Sequence, residues 1–436
     1  MENDVESGGF CGDPGEPTNI FSLPPELLQS IFLQIPAREL VQSVSLTCRA
    51  FADILRDNKY WITRIRSSGD RVVLASSEIE EEGFCPSWIY DRIAAEKKRW
   101  KCWFTQKRYV ANGHVSTVDG LKLFQAPSGK SFCISGSRDR SIRVWDIENV
   151  MREEDSETNR WSTINKENAH SGWIWNIAMC PSTDEDSSST SFLSCSWDSL
   201  IKKWSITESS ITEVSATNVG SAAQCVVPTS PWEAVGSSFA RRVVLLDTRV
   251  PDHVVGEHQL HRGPVFGLQT KGDFIFSSAQ DRTVQLVDRR NMRECVHSVS
   301  WHYYSQSLSY HCGQLVCGTS SGHVNVLNAN DLSLLSQFTS SGRPVRQVFR
   351  SPGAYYTLSQ VNRFNFKVYS PGLRPNLILS SDEFNSEPAK FDYNDKMQIL
   401  VIGSGDCTVK FYMEGDPNAV PTDPAVARAL YFRNFY

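Results

Sequence analysis

Residues 318–322, Gly-Thr-Ser-Ser-Gly, match the G-x-S-x-G pattern in which a serine attacks an acyl group. A nucleophilic serine of this kind sits on a sharp turn between a strand and a helix. Here apolar and polar residues alternate on both sides, which predicts a turn between two strands. We therefore expect no catalytic residue and no enzyme activity. The hydrolase alternative predicts that Ser320→Ala abolishes an activity.

Three histidines, His253, His258 and His261, lie five and three residues apart. Such spacing could hold a metal ion if cysteines or further histidines lay near. The 12 cysteines occur singly along the chain, without a C-x-x-C pair, and none lies close to these histidines. We expect no metal site and no cofactor.

A serine, an aspartate and a tryptophan recur at fixed offsets. Residues 133–146, CISGSRDRSIRVWD, alternate like a half-buried strand pair around a turn, and a histidine precedes them. A lone buried carboxylate is costly, so we interpret these side chains as a hydrogen-bond network that stabilises strands and is not catalytic. The members are His114, Ser135, Asp139 and Trp145, then His170, Ser194, Asp198 and Trp204, then His261, Ser277 and Asp281.

The position of Asp139 recurs along the chain with a regular period. The equivalent positions are Asp198, Ala240, Asp281, Ser321, Arg363 and Asp406. After a first interval of 59 residues the spacing is 40 to 43. Such a period is typical of four-stranded propeller blades, and seven copies predict seven blades over 105–413. We expect the strand at 107–114 to close the ring by pairing with the last blade near 407–413. The polar stretches 148–160 and 182–190 are interpreted as surface loops.

The region before the repeats has a helical pattern. Apolar residues at three-to-four spacing over 23–66 predict a small bundle, in which Pro24 and Pro25 suit a first turn and Pro36 ends a helix. A further helix is predicted over 85–104, within a linker of residues 67–104, and we expect it to be stiff. Its basic run 97–99 is expected to face solvent.

Residues 22–61 resemble the F-box family, whose pattern runs L-P-x-E-L-L-x-x-I-F, then a proline, a leucine, Cys-Arg and a terminal aromatic residue. The matching positions are Leu23, Pro24, Glu26, Leu27, Leu28, Ile31, Phe32, Pro36, Leu40, Cys48, Arg49 and Trp61. The first two repeats resemble WD repeats. Together, residues 22–413 resemble F-box/WD-repeat proteins. The resemblance implies a multidomain α + β chain: an all-α F-box (20–66), the linker helix, and an all-β seven-bladed WD40-type propeller.

The same resemblance implies a non-catalytic substrate-recognition subunit of a Skp1-cullin-F-box ubiquitin ligase. The F-box would bind Skp1, and through it the cullin-1/RING scaffold, while the propeller holds a protein target. An exposed apolar helix face needs a partner. The residues expected in the Skp1 interface are Leu23, Pro24, Leu28, Ile31, Phe32, Leu40 and Val44. The alternative is a WD-repeat scaffold or peptide reader unconnected to ubiquitin.

In propellers of this type, the residues that open the innermost strands and those that precede the turn aspartates face one rim. Tryptophan and arginine dominate binding hot spots, so we expect the rim to bind the target. The candidates are Arg138, Trp173, Trp175, Trp197, Phe239, Phe266, Tyr304 and Arg346. The alternative is that the indoles pack between blades. Arg138 and Arg346 would suit an acidic or phosphorylated motif.

Composition limits the remaining classes. The 436 residues carry a formal net charge of −5, which argues against a chain built to coat nucleic acid. No apolar run reaches the roughly 18 residues that a membrane helix needs, so we expect no membrane partner. The unpaired cysteines suggest a cytoplasmic or nuclear location, or both. We expect residues 1–19, which hold five acids and no bases, to be disordered, and 414–436 to lie outside the ring as a tail.

Overall fold

The computed structural model describes residues 20, 23–67, 72–81, 84–103, 106–152, 162–182, 190–207, 209–359, 364–384 and 387–413. The predicted tails at 1–19 and 414–436 lie outside these residues, as do most of the two polar loops. Two compact units divide the chain. The first contains residues up to 71 together with 85–91, and the second contains 72–84 and everything from 92 onward. None of the described helices is both long and apolar enough to cross a membrane.

The first unit is a small helical bundle, as the apolar spacing predicted. Its elements are α1 (Pro25–Gln34), α2 (Ala37–Gln42), a 3₁₀ turn (Val44–Leu46), α3 (Arg49–Arg56) and α4 (Asn58–Ser67). Pro24 and Pro25 begin α1, and the extended Ile35 before Pro36 ends it. The buried core contains Leu28, Phe32, Ala37, Leu40, Phe51, Leu55, Tyr60 and Trp61.

Arg64 of α4 connects this helix to the end of α1. Its guanidinium donates to the carbonyl oxygens of Phe32 and Ile35 at 2.8 and 2.6 Å, and it packs 4.9 Å from the ring centroid of Tyr90. The last carbonyls of a helix have no partner within the helix, and a cation there also complements the helix dipole. The buried arginine therefore fixes the angle between α1 and α4.

The second unit is a propeller of seven four-stranded antiparallel sheets, which confirms the predicted blade number. The first four blades are β2–β5 (Val118–Gln125, Ser131–Ser137, Ile142–Asp146, Ile164–Lys166), β6–β9 (Ile174–Met179, Thr190–Ser196, Leu200–Ile206, Ile211–Asn218), β10–β13 (Ala223–Pro228, Glu233–Ser238, Val243–Asp247, Val254–His258) and β14–β17 (Val265–Lys271, Phe274–Ala279, Thr283–Asp288, Asn291–Ser300). The fifth and sixth blades are β18–β21 (Ser305–His311, Gln314–Thr319, His323–Asn328, Leu334–Thr339) and β22–β25 (Val345–Ser351, Ala354–Ser359, Phe364–Tyr369, Leu377–Phe384).

The seventh blade closes the ring in the way that the unpaired strand before the first repeat predicted. Its strands are β26 (Pro388–Asn394), β27 (Ile399–Ser404), β28 (Val409–Met413) and β1 (Lys107–Ala111), which comes from the start of the propeller. Lys107 pairs with Met413 and Ala111 with Val409. The strand that precedes the first repeat thus covers an edge that would otherwise stay open.

The propeller core lies between neighbouring blades. Trp145 of β4 packs with strands of the seventh blade, and Trp204 of β8 packs with strands of the first. Both indoles are fully buried. Each buried tryptophan therefore contributes to two sheets, which is how a ring of separate sheets gains a continuous core. The remaining helix of this region, α7 (Ile147–Arg152), follows β4.

The linker has two helices, α5 (Ser76–Ile79) and α6 (Pro86–Lys101), the second close to the predicted 85–104. Within the second unit, α5 packs on turns between the first and second strands of blades. Glu78 and Arg350 form an ion pair at 2.6 Å in which both side chains are 1% exposed. Glu81 accepts from Lys271 and Tyr310 at 2.9 and 2.6 Å. These contacts join the linker to three successive blades.

The C-terminal part of α6 also lies on the propeller. Glu96 is buried and accepts hydrogen bonds from Trp100 Nε1 and the Tyr356 and Tyr393 hydroxyls at 2.7, 2.7 and 2.8 Å. Arg99 is 4% exposed and packs 5.0 Å from the Trp100 centroid. The expectation that the run 97–99 faces solvent is therefore wrong for Arg99, because this residue lies one helical turn from Glu96 on the packed face.

Candidate interaction surfaces

The first blade contains the predicted network of histidine, serine, aspartate and tryptophan. His114 Nδ1 lies 2.8 Å from Asp139 Oδ2, and His114 Nε2 lies 2.8 Å from Ser135 Oγ, which also accepts from Trp145 Nε1 at 2.8 Å. The partners assign the donors: the indole donates to the serine, the serine to the histidine, and the histidine to the carboxylate. Each polar atom in this chain is thereby satisfied.

The network holds its acid ionised and its histidine neutral. Burial alone would raise the pKa of Asp139, but hydrogen bonds from His114 and Ser141 outweigh it and keep that pKa well below its usual range. Burial lowers the pKa of His114. Although Ser, His and Asp follow the order of a hydrolytic triad, Ser135 is fully buried, so a substrate cannot reach it. This geometry supports a structural role.

Two further copies have the same arrangement. His170 lies 2.9 Å from Asp198 and 2.7 Å from Ser194, which accepts from Trp204 Nε1 at 2.8 Å. In the fourth blade, His261 lies 3.1 Å from Asp281 Oδ2 and 2.8 Å from Ser277 Oγ. The eleven residues expected in the networks are therefore brought together in three separate blades.

The predicted rim residues lie together at one end of the propeller. In each of six blades the residue before the turn position donates its backbone N–H to the residue that precedes the innermost strand, as Trp197 does to Trp173 at 3.0 Å and Phe239 to Ala222 at 2.8 Å. Trp175, Phe266 and Arg346 are each the second residue of an innermost strand. The corresponding positions of the sixth blade, residues 360–363, lie outside the described residues.

Three tryptophans of the second blade form one stacked group. Trp197 stacks on Trp173 and Trp175 with centroid separations of 4.9 and 5.6 Å, and Arg138 of the first blade lies 5.0 and 5.6 Å from the same two rings. Trp173 and Trp197 are 40% and 43% exposed. These two indoles are therefore surface residues and do not serve mainly as packing between blades.

Both rim arginines are already paired with an acid. Asp119, whose side chain is 5% exposed, accepts from Arg138 at 2.6 Å and lies 3.4 Å from Arg346. The suggestion that the two arginines suit an acidic or phosphorylated motif stays a prediction. Such a motif would have to compete with Asp119 for both cations.

Further aromatic residues extend the rim beyond the second blade. Phe239 is 52% exposed, and Phe266 and Tyr304 from adjacent blades lie 5.7 Å apart. The neighbouring Tyr303, which the sequence did not single out, is 52% exposed. Aromatic side chains therefore cover the rim from the second to the fifth blade.

The helical bundle also has exposed apolar residues, but they are mostly not the residues predicted to bind Skp1. Leu28, Phe32 and Leu40 were expected to bind an adaptor, yet they are 5%, 2% and 0% exposed and form the bundle core. Leu23 and Val44 are partly buried against the same core. Of the predicted set, Pro24 and Ile31 are exposed. The periodicity marked apolar positions correctly but could not distinguish the inside of the bundle from the outside.

The exposed apolar residues include three that the prediction missed. Leu27, Ile31, Val41 and Leu46 are 52%, 40%, 47% and 80% exposed. Leu27 and Ile31 lie four residues apart on α1 and therefore share a helix face. The adjacent pairs Leu27-Leu28 and Ile31-Phe32 were the available signal, since one residue of each pair must point away from the core. We call Leu27, Ile31, Val41 and Leu46 the bundle face.

Among the described residues, no cluster of three His, Cys, Asp or Glu side chains could hold a metal ion. Ser320 lies in a turn between the strands β19 and β20 and donates its backbone N–H to Tyr304. The G-x-S-x-G match therefore does not form a turn between a strand and a helix.

Comparisons with known proteins agree with both units. The F-box-like family model matches residues 20–67, and the model of the WD domain, G-beta repeat, matches residues 105–146. F-box/WD repeat-containing protein mec-15 of Caenorhabditis elegans is 40% identical over 401 residues, which cover 91% of this chain and 96% of that protein. F-box/WD repeat-containing protein 9 of Homo sapiens, which the first two repeat stretches resemble, is 28% identical over 401 residues, 90% of this chain and 82% of that protein.

An F-box followed by a WD-repeat propeller is the architecture of a substrate adaptor, in which one unit binds a common partner and the other binds the substrate. The first repeat matches the WD model, while the structure shows that six more divergent copies complete the ring. With F-box, linker and propeller in the same order, and 40% identity across nearly the whole of a relative, the chain belongs to the F-box/WD repeat-containing proteins.

Proposed function

We propose that this chain is the substrate-recognition subunit of a Skp1-cullin-F-box ubiquitin ligase. The observation that carries the proposal is the bundle face, four exposed apolar side chains on an F-box-like bundle whose core is complete without them. Leu27 and Ile31 share one face of α1, and adjacent exposed apolar side chains of this kind are typical of a protein interface. Skp1 would cover it and connect the chain to the cullin-1/RING scaffold.

The propeller rim would hold the protein target. Its exposed tryptophans and the exposed Tyr303 are of the residue types that dominate binding hot spots. On this proposal the chain performs no covalent chemistry. It raises the local concentration of target lysines near the activated ubiquitin carried by another subunit. The complex would act in the cytoplasm, the nucleus or both.

The test is capture of Skp1 by the full-length chain and by the double variant Leu27→Asp/Ile31→Asp. Charged residues at the centre of an apolar interface should weaken binding by about 2 kcal/mol or more, about 30-fold. Both side chains are exposed, so the bundle should keep its melting temperature. Lys59→Asp changes the charge of an exposed residue on another helix, α4, and should leave Skp1 binding unchanged.

Two results would contradict the proposal. Either the wild-type chain fails to capture Skp1, or the double variant captures it as well as wild type does. In both cases the alternative of a WD-repeat scaffold unconnected to ubiquitin becomes the better account.

A further inference from the structure

All seven innermost strands carry a β-bulge at the same place. In each, the second residue has no partner on the neighbouring strand, as between Val118 and Gly120 or between Ile174 and Asn176. A bulge re-aims the extra side chain. All seven bulged residues line the same central channel, of about 710 Å³. In blade order they are Asp119, Trp175, Gln224, Phe266, Gln306, Arg346 and Ala389.

The two charged members of this ring neutralise each other. Arg346 of the sixth blade reaches Asp119 of the first at 3.4 Å, across the seventh blade. The seventh blade contributes Ala389, whose methyl group leaves room for this contact. Arg138 adds a second bond to Asp119. An ion cluster therefore occupies the channel mouth over the sixth, seventh and first blades. The bulged residues of the second to fifth blades are uncharged.

The uncharged positions alternate between aromatic and amide side chains: Trp175, Gln224, Phe266 and Gln306. Gln224 is 2% exposed, and its amide nitrogen has no hydrogen-bond partner among the described residues. A buried unpaired amide group costs about 1–3 kcal/mol. Gln306 makes a single long contact, 3.5 Å to the Tyr304 hydroxyl. Two amides with unused hydrogen-bonding capacity thus lie beside two aromatic rings.

We propose that these four residues bind an extended, uncharged and unphosphorylated peptide segment of the target. Each glutamine amide has both a donor and an acceptor, which match the C=O and N–H groups of an extended backbone. The rings of Trp175 and Phe266 take an apolar side chain such as proline, leucine or phenylalanine. The proposal deepens the proposed function, since it assumes that the rim is where the target binds.

The cations at the channel already have acidic partners, with one exception. Arg138 and Arg346 share Asp119, and Lys122 pairs with Asp392 at 2.7 Å. Lys390, which follows Ala389 on β26, is the channel cation for which the described residues provide no ion pair. A phosphate would have to break the Asp119 cluster or rely on this lysine. An uncharged segment requires neither, and it supplies the partner that Gln224 lacks.

The experiment uses the full-length chain and an array of synthetic peptides of about twelve residues. Each peptide has Gly-Ser flanks around two central positions. At these positions the array places Pro, Leu, Phe, Ser, phosphoserine, Asp or Lys. We expect binding of the Pro, Leu and Phe peptides and no gain from phosphoserine. The Gln224→Leu variant should bind these peptides about tenfold more weakly, because one buried hydrogen bond is lost.

Thermal unfolding separates binding from folding. Gln224→Leu removes an unpaired buried amide, so its melting temperature should equal or exceed that of wild type. Gln269→Leu is the matched control, because Gln269 lines the same channel but already donates to the Leu308 carbonyl at 3.3 Å. This control should lower the melting temperature and leave peptide affinity unchanged.

The proposal is overturned if only phosphoserine or Asp peptides bind, if Gln224→Leu leaves affinity unchanged, or if no peptide binds at about 1 mM. Skp1 capture is measured in parallel on the same proteins. Failure of Skp1 capture by wild type would contradict the proposed ligase function while leaving the peptide result intact. If Skp1 is captured but the peptides do not bind as expected, only the proposal for the rim is wrong.

Discussion

At the scale of single residues, the blade networks show which polar groups are indispensable. The third and fifth blades lack the aspartate, and hydroxyl groups satisfy their turns: Ser221 Oγ accepts from the Ala240 N–H at 2.9 Å, and Thr319 Oγ1 bonds with Ser321 and His323. A blade can therefore form without the network. Where a buried histidine is present, however, removing its acid takes the charged acceptor from Nδ1, and for His114 and His261 only a hydroxyl group remains beside that atom.

Asp139→Ala is therefore expected to destabilise the first blade by about 2–3 kcal/mol, because the N–H groups of Val115 and Ser141 lose their acceptor and His114 Nδ1 keeps only the Ser141 hydroxyl. Asp331→Ala is the control: Asp331 also caps a turn, through Ser333, but bonds to no histidine. It should cost under about 1 kcal/mol. Hydrogen exchange measures both, on β3 and β4 amides for Asp139→Ala and on β20 and β21 amides for Asp331→Ala. Equal losses would contradict a special role for the network.

The same scale shows what the sequence could and could not specify. The network was predictable because its members recur at fixed offsets, so one copy supports the next. Leu28 and Phe32 were misassigned because both lie beside another large apolar residue on α1, and a 3.6-residue period does not say which side of the helix is covered. Only the packing of Phe32 against Phe51 and Tyr60, with centroids 5.1 and 6.4 Å apart, decides it.

At the scale of elements, the 72–81 segment and the C-terminal part of α6 belong to the propeller unit. Its contacts could not be predicted, because Glu78 and Arg350 are separated by 272 positions and lie in no repeated pattern. Glycines on the propeller make the approach possible: a Cβ on Gly353 would lie 2.7 Å from the Arg92 carbonyl oxygen. The helix of residues 86–101, in contrast, followed from local propensity alone.

Glu78→Gln is expected to destabilise the docking of the 72–81 segment by about 3–5 kcal/mol, because Arg350 would remain buried without its counter-charge. The exposed Glu80→Gln changes charge by the same amount in the same helical turn and should have little effect. Limited proteolysis near residues 76–81 measures the difference. Should both variants be cut at the wild-type rate, the ion pair does not hold the linker. The double change Glu78→Leu/Arg350→Met should restore much of the protection.

At the scale of the whole propeller, period and closure were predictable, and the ring of bulges was not. A period of 40 to 43 residues specifies the blades even where the turn acid and tryptophan are absent, since each blade must bury its faces against its neighbours. A bulge adds one residue without changing the apolar alternation visibly. Its consequence, seven side chains lining one channel, follows only from the seven registers together.

The pH dependence of stability is also a property of the whole propeller, because several ionisable groups change the free energy of unfolding in the same direction. The pKa values of Asp139, Asp198 and Asp281 lie below their usual range, since histidine and hydroxyl or backbone N–H donors outweigh the raising effect of burial. Burial lowers the pKa values of His114 and His261. For all five groups the folded pKa is below the unfolded one, so each contributes stability at high pH that is lost as pH falls.

Unfolding midpoints in urea should therefore be constant above about pH 7, fall below about pH 6.5 as the unfolded histidines bind protons, and fall further below about pH 4 as the aspartates do. Glu96 acts in the opposite direction, because burial raises its pKa and its protonation favours the folded state. Glu96 is one group and the network groups are five, so the unfolding midpoint should still fall as the pH falls. His114→Gln removes one titrating group, so the unfolding midpoint should fall less steeply with pH between about pH 6.5 and 4. A wild-type profile that is flat or rises toward acid would show that the networks do not govern the stability of the ring.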